Sequence, residues 1–594
     1  MTNGFGSRKC ITVGIVAALL AAACAGGDGA GSDDTTVITT AASEPATSST
    51  SLPTTPPTVD ATTVPNATTP PSTDPAGPII EQRIVVTGPE EIVFDWTTDQ
   101  CIPEHIPDIA TRAFRNADGE VSLTIGHWDA YRMIGPSLDE VVTDCSAPLV
   151  SSDFDPDPAQ FDDSEWIGSP YTLDGETIYA IVHNEYRGDT HGAARPDQCP
   201  SGQRLSCLDT SFTMHVSTDG GDTFDHIAPP PGHLVATLPY QYIDDSVPTG
   251  IRQPSNIIEG PDGLFYLFGN VSDHPDEQQW VCAMRTADLA DPTSWRYWDG
   301  EDFAGQWRNP YLEPVDPNVD TCAPLAFGAL SGGINEGVVF DERIDRYVMV
   351  GMSNAVGAGE TVWGVYYSTS ENLIDWTARR LLIDLAINPS VSDPDNDTVH
   401  AYPTIIDPDS SSLNFSTSDG EMYLYVSRFN AGGNSLDRDL IRFPIEVQDV
   451  EVMAPVWTFD TAGDAEGWVA EQGLTDLVVA DGALAATSTT EDPVLNSPAL
   501  TLPAAFDTLK IRMAVQPGAS EVFAELFFIT LDEPDVDGDK LITFEIIDDG
   551  DFHDYELDLS AFAEWQGTIT RLRFDPVTVS DLAVAIDGIS FVAR

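Results

Sequence analysis

The stretch STDGGDTF, Ser217 to Phe224, follows SFTMHV (Ser211 to Val216), which alternates polar and apolar side chains as a half-buried strand does. Within it, Asp219 to Asp222 read Asp-Gly-Gly-Asp. Glycine enters left-handed backbone freely and aspartate hydrogen-bonds its own turn, so this is the tip of a β-hairpin. The same pattern recurs. Apolar strands after Asp-Gly or charged turns appear in DGETIYAIVHNEY (174–186), GPDGLFYLFGNV (260–271), FDERIDRYVMVGM (340–352) and SDGEMYLYVSRF (418–429). Each is followed by a second limb with a turn: TMHVSTDGGDTF, VCAMRTADLADPTSWRYW, WGVYYSTSENLIDWTARRLL and DLIRFPIEV. One couple makes a four-stranded antiparallel sheet, the blade of a β-propeller.

Four couples are clear, and VSLTIGHWDAYRMIGPSLDEVV (121–142) with the residues before it makes another. The expected fold is therefore all-β: a five-bladed β-propeller over 81–450, or a six-bladed one if residues 80–120 form a further blade. After residue 455 the chain keeps strand alternation but has no cysteine, which marks a separate β-sandwich over 455–594.

The 594 residues hold 96 acids against 26 bases, a net charge of −70. No basic face is available for phosphate, which excludes nucleic acid as a partner. Arg8 and Lys9 followed by CITVGIVAALLAAA read as an export signal, too short to span a bilayer comfortably. Ala21, Ala22 and Ala23 before Cys24 resemble a bacterial lipoprotein cleavage site, which implies lipidation at Cys24 after removal of residues 1–24. Residues 25–80, rich in Thr, Pro and Ser, cannot bury enough apolar surface to order themselves and make a tether. The expected location is the outer face of the cytoplasmic membrane, held by the lipid anchor alone, with the body a monomer. Beyond Cys10 and Cys24, six cysteines remain in an exported chain. The expected disulfides join neighbours: Cys101 with Cys145, Cys199 with Cys207, and Cys282 with Cys322.

STDGGDTF resembles the aspartate box of sialidases and other propeller proteins, with Ser217, Asp219, Gly221 and Phe224 at its four positions. The resemblance implies a structural turn at the rim, with any chemistry at the propeller axis. STSENLIDW (368–376) resembles the same box in arabinanase-, xylosidase- and fructosidase-type hydrolases. Likewise, IIEGPDGLFYLF (257–268) resembles the segment carrying the general acid in the first two of these, which implies that role for Glu259. Its expected carboxylate partner is Asp129, Glu165 or Glu336, since glycoside hydrolysis needs two carboxyl groups flanking the bond. The Asp-Pro segment that carries the base in that family is missing, and Asp129 in HWDAYR stands in its place.

Substrate-binding candidates are the polar residues beside the strong strands: His127, Trp128, Arg132, Trp166, His183, Glu185, Arg252, Asn256, Asn335 and Tyr402. A sialidase would need an arginine triad and a tyrosine nucleophile, and the arginine-isoleucine-proline start of that family is absent. The C-terminal segment resembles jelly-roll carbohydrate-binding modules through Phe459, Asp460, Gly467, Trp468, Arg573, Asp575, Pro576, Ile586 and Asp587. Together these imply an extracellular glycoside hydrolase acting on a poly- or oligosaccharide. The alternative is a non-catalytic surface protein that binds a glycan or a protein. No cofactor is required by this chemistry, and Ca²⁺ stays open because no ligand spacing specifies it.

Overall fold

The structure, a computed structural model, describes residues 77–593 apart from 245–247, 274–277, 326–333, 358–359, 388–397, 431–435, 519–521, 532, 534–535 and 537. The export signal, Cys10, Cys24 and the tether up to residue 76 lie outside the described residues, as does part of the acidic run 532–540. The chain divides into two compact units, one spanning 80–356 and 360–450, the other 451–594. No described helix is long and apolar enough to cross a membrane.

The first unit is a succession of antiparallel sheets in chain order. The first comprises Ala113–Arg115, Val121–Ile125, Asp129–Gly135 and Val142–Asp144. Ser164–Thr172, Ile178–Arg187 and Leu208–Ser217 form the second, edged by Asp225–His226 and Leu234–Ala236. The third runs Thr249–Arg252, Phe265–Ser272, Gln279–Thr286 and Arg296–Tyr297. Gly337–Asp341, Arg346–Gly357, Glu360–Ser370 and Arg380–Asp384 make the fourth. The fifth is Val399–Ile406, Glu421–Phe429 and Arg438–Val452, completed by Ile79–Val86 and Glu91–Phe94 from the start of the chain. Residues 79–94 therefore close the last sheet rather than begin a sixth.

Arg112 shows that these sheets surround one axis. It sits just before the first innermost strand, wholly buried, and its guanidinium donates to Gly168 O (3.1 Å), Pro254 O (3.0 Å), Glu336 O (2.5 Å) and Thr404 Oγ1 (2.8 Å). Those acceptors belong to the inner edges of the second, third, fourth and fifth sheets. Five inner edges thus meet at one side chain, the arrangement of a β-propeller. Backbones approach closely there: a Cβ on Gly168 would lie 2.5 Å from the Pro254 ring. Farther out, Gly250 has φ +109°, and a Cβ would lie 2.1 Å from Thr210 O, where the second and third sheets join in parallel register.

The turn Ser217–Phe224 is held by its own side chains. Asp219 Oδ1 accepts from the backbone N–H of Asp222 and of Thr223, each at 3.1 Å, and Ser217 Oγ accepts from Gly221 N at 2.9 Å. Phe224 is buried edge-on against Phe114 of the first sheet. Ser370 and Asn372 repeat this pattern in the fourth sheet, where Asn372 Oδ1 accepts from Ile374 N and Asp375 N. The disulfides are Cys101–Cys145, Cys199–Cys207 and Cys282–Cys322, as neighbour pairing anticipates.

The second unit is a two-sheet sandwich. Strand Phe523–Thr530 buries every second residue, and Ala524, Leu526 and Phe528 enter a core with Phe544, Phe574, Ile511 and Phe591. Phe459 and Trp468 are buried there, while Arg573 pairs with Asp575 at 2.7 Å and Arg512 with Asp587 at 3.1 Å. Those residues serve the fold.

Replacing Arg112 by methionine takes this donor from three buried carbonyls of the other sheets, and from Thr111 O beside it. Each costs roughly 1–3 kcal/mol, so the expected loss is at least about 3 kcal/mol, read as a lower denaturant midpoint at unchanged slope. Arg112→Lys should not rescue it, because an ammonium cannot span the four acceptors of a planar fork. Equal midpoints for wild type and Arg112→Met would show that the side chain does not tie the ring.

Candidate functional site at the propeller axis

Strand Ile178–Arg187 is buried except at Tyr179, yet its second half reads His-Asn-Glu-Tyr-Arg. Alternate residues share a face, so His183, Glu185 and Arg187 point together. The ladder sets Trp166 opposite His183 and Ser164 opposite Glu185, adding an indole to the same face. These side chains line an axial cavity with Asp108, Ile109, Arg204, Gln253 and Tyr402.

His183 Nε2 lies 3.2 Å from Glu185 Oε1. Burial alone would raise the Glu185 carboxyl. The bond to His183 and the charges of His183, Arg187 and Arg204 outweigh it and hold the group below the usual carboxylate range. Asp108 enters from the segment before the first inner strand, its amide bonded to Gly126 O at 2.9 Å. Its carboxylate accepts from Tyr402 Oη at 3.2 Å and from Arg438, and His127 Nε2 stands 3.7 Å away. Burial pushes His127 down to about 4 despite the Asp108 charge, so that imidazole is neutral at pH 7. Burial together with the Asp108 charge raises Tyr402 well above its ordinary value.

Two lining residues adopt left-handed backbone without being glycine, Gln253 at φ 51° and Tyr402 at φ 57°. Such conformations cost about 1–3 kcal/mol each and gather where a site is pre-shaped. Behind the wall Arg252 is fully buried, and its three guanidinium nitrogens make no hydrogen bond among the described residues. Burial lowers it to about 10, with the Glu185 charge opposing. The cavity and its backing thus gather Arg187, Arg204, Arg252 and Arg438 around Asp108 and Glu185. In so acidic a chain, a lining with as many arginines as carboxylates stands out.

Of the residues expected from sequence, Trp166, His183, Glu185 and Tyr402 reach the cavity. His127 and Trp128 stand behind it, their rings 3.9 Å apart, with Arg187 over the Trp128 ring. Glu259 does not reach it. It is exposed in a hairpin and pairs with Phe265, whereas Arg252 pairs with Asn270 on the same partner strand, five residues or roughly 17 Å farther along. Asp129 is half-buried at the start of its strand opposite Ser151 and does not line the cavity.

Glu165 faces away from Trp166, its sequence neighbour, and bonds His215 and His226 instead. Glu336 is wholly buried beside Arg112, its Oε2 accepting from Met352 N at 3.1 Å. Arg132 donates to Gly221 O at 2.8 Å and Asp222 at 2.6 Å, bracing the Ser217–Phe224 turn. Asn256 exchanges hydrogen bonds with Val338, and Asn335 donates to Gln253 O, so both staple the third sheet to the fourth. Sequence reasoning missed Asp108, Arg187, Arg204, Gln253 and Arg438. Only Arg187 carried a signal, its two-residue spacing from His183 and Glu185.

No family model matches the chain, and no curated protein matches it significantly. Solved structures resembling it include a xylan β-1,4-xylosidase from Bacillus halodurans C-125, at 8% identity and TM-score 0.31, covering 82% of this chain and 99% of that one. A glycoside hydrolase family 43 arabinoxylan arabinofuranohydrolase from Bacillus subtilis, in complex with cellotetraose, aligns at 11% identity and TM-score 0.32, covering 85% and 99%. The α-L-arabinanase of Cellvibrio cellulosa, complexed with arabinohexaose, aligns at 12% and 0.31, covering 57% and 96%. Likeness at this level carries no argument about activity, which has to come from the site.

Burial pushes the Glu336 carboxyl up to about 8, against the Met352 amide and the Arg112 charge. A folded value above the ordinary 4.5 means the folded chain holds this proton more tightly. The contribution is complete below pH 4.5 and is lost as pH rises through about 8. Relative to wild type, Glu336→Gln should gain stability progressively across that window in denaturant titrations. Parallel curves at all pH values would contradict the assignment.

Proposed function

We propose that the propeller binds and hydrolyses a glycan at the axial cavity, with Asp108 and Glu185 as its carboxyl pair. The observation that carries this reading is the meeting of two buried carboxylates in one cavity beside the Trp166 indole. Hydrolysis of a glycosidic bond needs one carboxyl group to deliver a proton to the leaving oxygen and another to activate water. In this reading the His183–Glu185 pair delivers the proton, and Asp108, oriented by Arg438 and Tyr402, takes one from the attacking water. Trp166 offers an apolar surface to the sugar. The arginines in and behind the cavity wall, above all Arg252 with no hydrogen-bond partner among the described residues, favour an acidic glycan, such as one bearing uronate.

The three disulfides support a location outside the cytoplasm, where Cys24 is the proposed lipidated residue. The C-terminal sandwich is proposed as an accessory sugar-binding module.

A second reading has its own support. Glu185 is held below the usual carboxylate range, whereas a glycosidase proton donor normally has a raised pKa. Recognition without hydrolysis fits that state. A panel of neutral and uronate-bearing polysaccharides, with binding and product release measured separately, separates the two.

The catalytic reading expects Asp108→Asn and Glu185→Gln to lose roughly 10²–10⁴-fold in product release while still binding, with Glu259→Gln like wild type. Binding by the wild-type protein without product would establish the second reading. Undiminished turnover in both cavity variants would sink the first. Uronate-bearing glycans should also bind more tightly than neutral ones, with an advantage that shrinks as salt rises. Equal affinity at low salt would remove the charge argument.

A further inference from the structure

The second sheet has another polar face, turned away from Trp166 and Glu185. The ladder aligns Glu165, Asn184 and Ser211 on one rung, and strand alternation sends His215 to the same side as Ser211. His215 stands directly opposite His226, the second residue after the Ser217–Phe224 turn. Their rings are 4.5 Å apart, and His233 lies 4.6 Å beyond His226. Into this group the segment entering the sheet delivers Asp162 and Glu165.

The distances are short. His226 Nε2 is 3.1 Å from Asp162 Oδ1 and 3.3 Å from Glu165 Oε1, and His215 Nε2 is 3.1 Å from Glu165 Oε1. Donor atoms of Asp162, Glu165, His226 and His233 all lie within 4.8 Å of one another. Relative exposure is 8% for Asp162, 1% for Glu165, 2% for His215 and 0% for His233. His233 bonds Phe161 O through Nε2 at 3.2 Å, while the buried Nδ1 atoms of His233 and His215 have no hydrogen-bond partner.

We propose that Asp162, Glu165, His226 and His233 bind a zinc ion, with His215 holding Glu165 in orientation from outside the coordination sphere. Two carboxylates and two neutral imidazoles balance a divalent charge, and four protein donors complete a tetrahedral structural site. Imidazole donors suit zinc and its transition-metal neighbours, whereas calcium takes six to eight oxygens. The metal ties the entry segment to the hairpin strands across the face of the sheet that does not line the axial cavity. It is a structural clasp rather than part of the proposed hydrolysis.

The test uses the full-length protein, purified without a histidine tag, stripped with chelator and checked for folding by near-ultraviolet circular dichroism. Zn²⁺ is then titrated against a chromogenic chelator. The expected result is a single tight site unaffected by Ca²⁺, with His226→Ala and His233→Ala each weakening it more than 100-fold. His215→Ala, acting through Glu165, should weaken it by about 10–100-fold. No uptake of Zn²⁺ by the folded wild-type chain would overturn the proposal, as would an unchanged affinity in the His226→Ala/His233→Ala double variant. Should the alanine variants unfold, Co²⁺ bound to the wild-type chain decides. Intense four-coordinate visible absorption supports the site, and a weak six-coordinate spectrum overturns it.

Discussion

The propeller depends on one guanidinium. Arg112 reaches inner-edge acceptors in four other sheets from its place beside the first. Burying a cation this way is expensive: desolvation drags its pKa down to about 9, and the Glu336 charge only partly opposes that. The return is geometric. Converging strands leave backbone carbonyls pointing into a space too narrow for water to serve each of them, and a planar fork with five donors satisfies several at once. The cavity's Ile109 and Asp108 lie three and four residues before Arg112, so the group that fastens the ring also fixes where the site begins.

The second sheet is used on both sides. One face presents Trp166, His183, Glu185 and Arg187 to the axis; the other gathers Glu165 with three histidines. Neighbours in sequence therefore belong to different environments, and a shift of one residue in register would exchange them. The hairpin turn at Asp219 matters for this reason. By setting the pairing of His215 with His226 it also secures the register of the strand that backs the cavity wall.

Much of the scaffold was legible in the sequence. Hairpin turns and alternation are local, so the sheets, the sandwich and the pairing of neighbouring cysteines could be read from short windows. The site was half legible. His183, Glu185 and Trp166 stand out as polar or aromatic residues in strong strands, but Asp108 and Arg112 lie in IPDIATR, which has no strand pattern and gains its position only when the ring closes. Glu259 misled because the resemblance of its segment to one that carries a general acid rests on a short Glu-Gly-Pro match. Its distance from the Asp262-Gly263 turn puts it instead at the outer end of a two-residue pairing. Glu165 and Trp166 were both expected at the site, although adjacency in a strand means opposite faces.

The strand at the start of the body, Ile79–Val86, lies at the end of the fifth sheet beside Arg438–Val452. The other strand pairings described in the propeller reach no farther along the chain than that of Phe340 with Thr417, whereas this seam joins segments more than three hundred residues apart. Its loop-closure entropy is the largest in the propeller and cannot be offset until the late strand exists. During synthesis the early strand must therefore wait with an unpaired edge. The ring becomes a single cooperative body only when the last of its strands has been made.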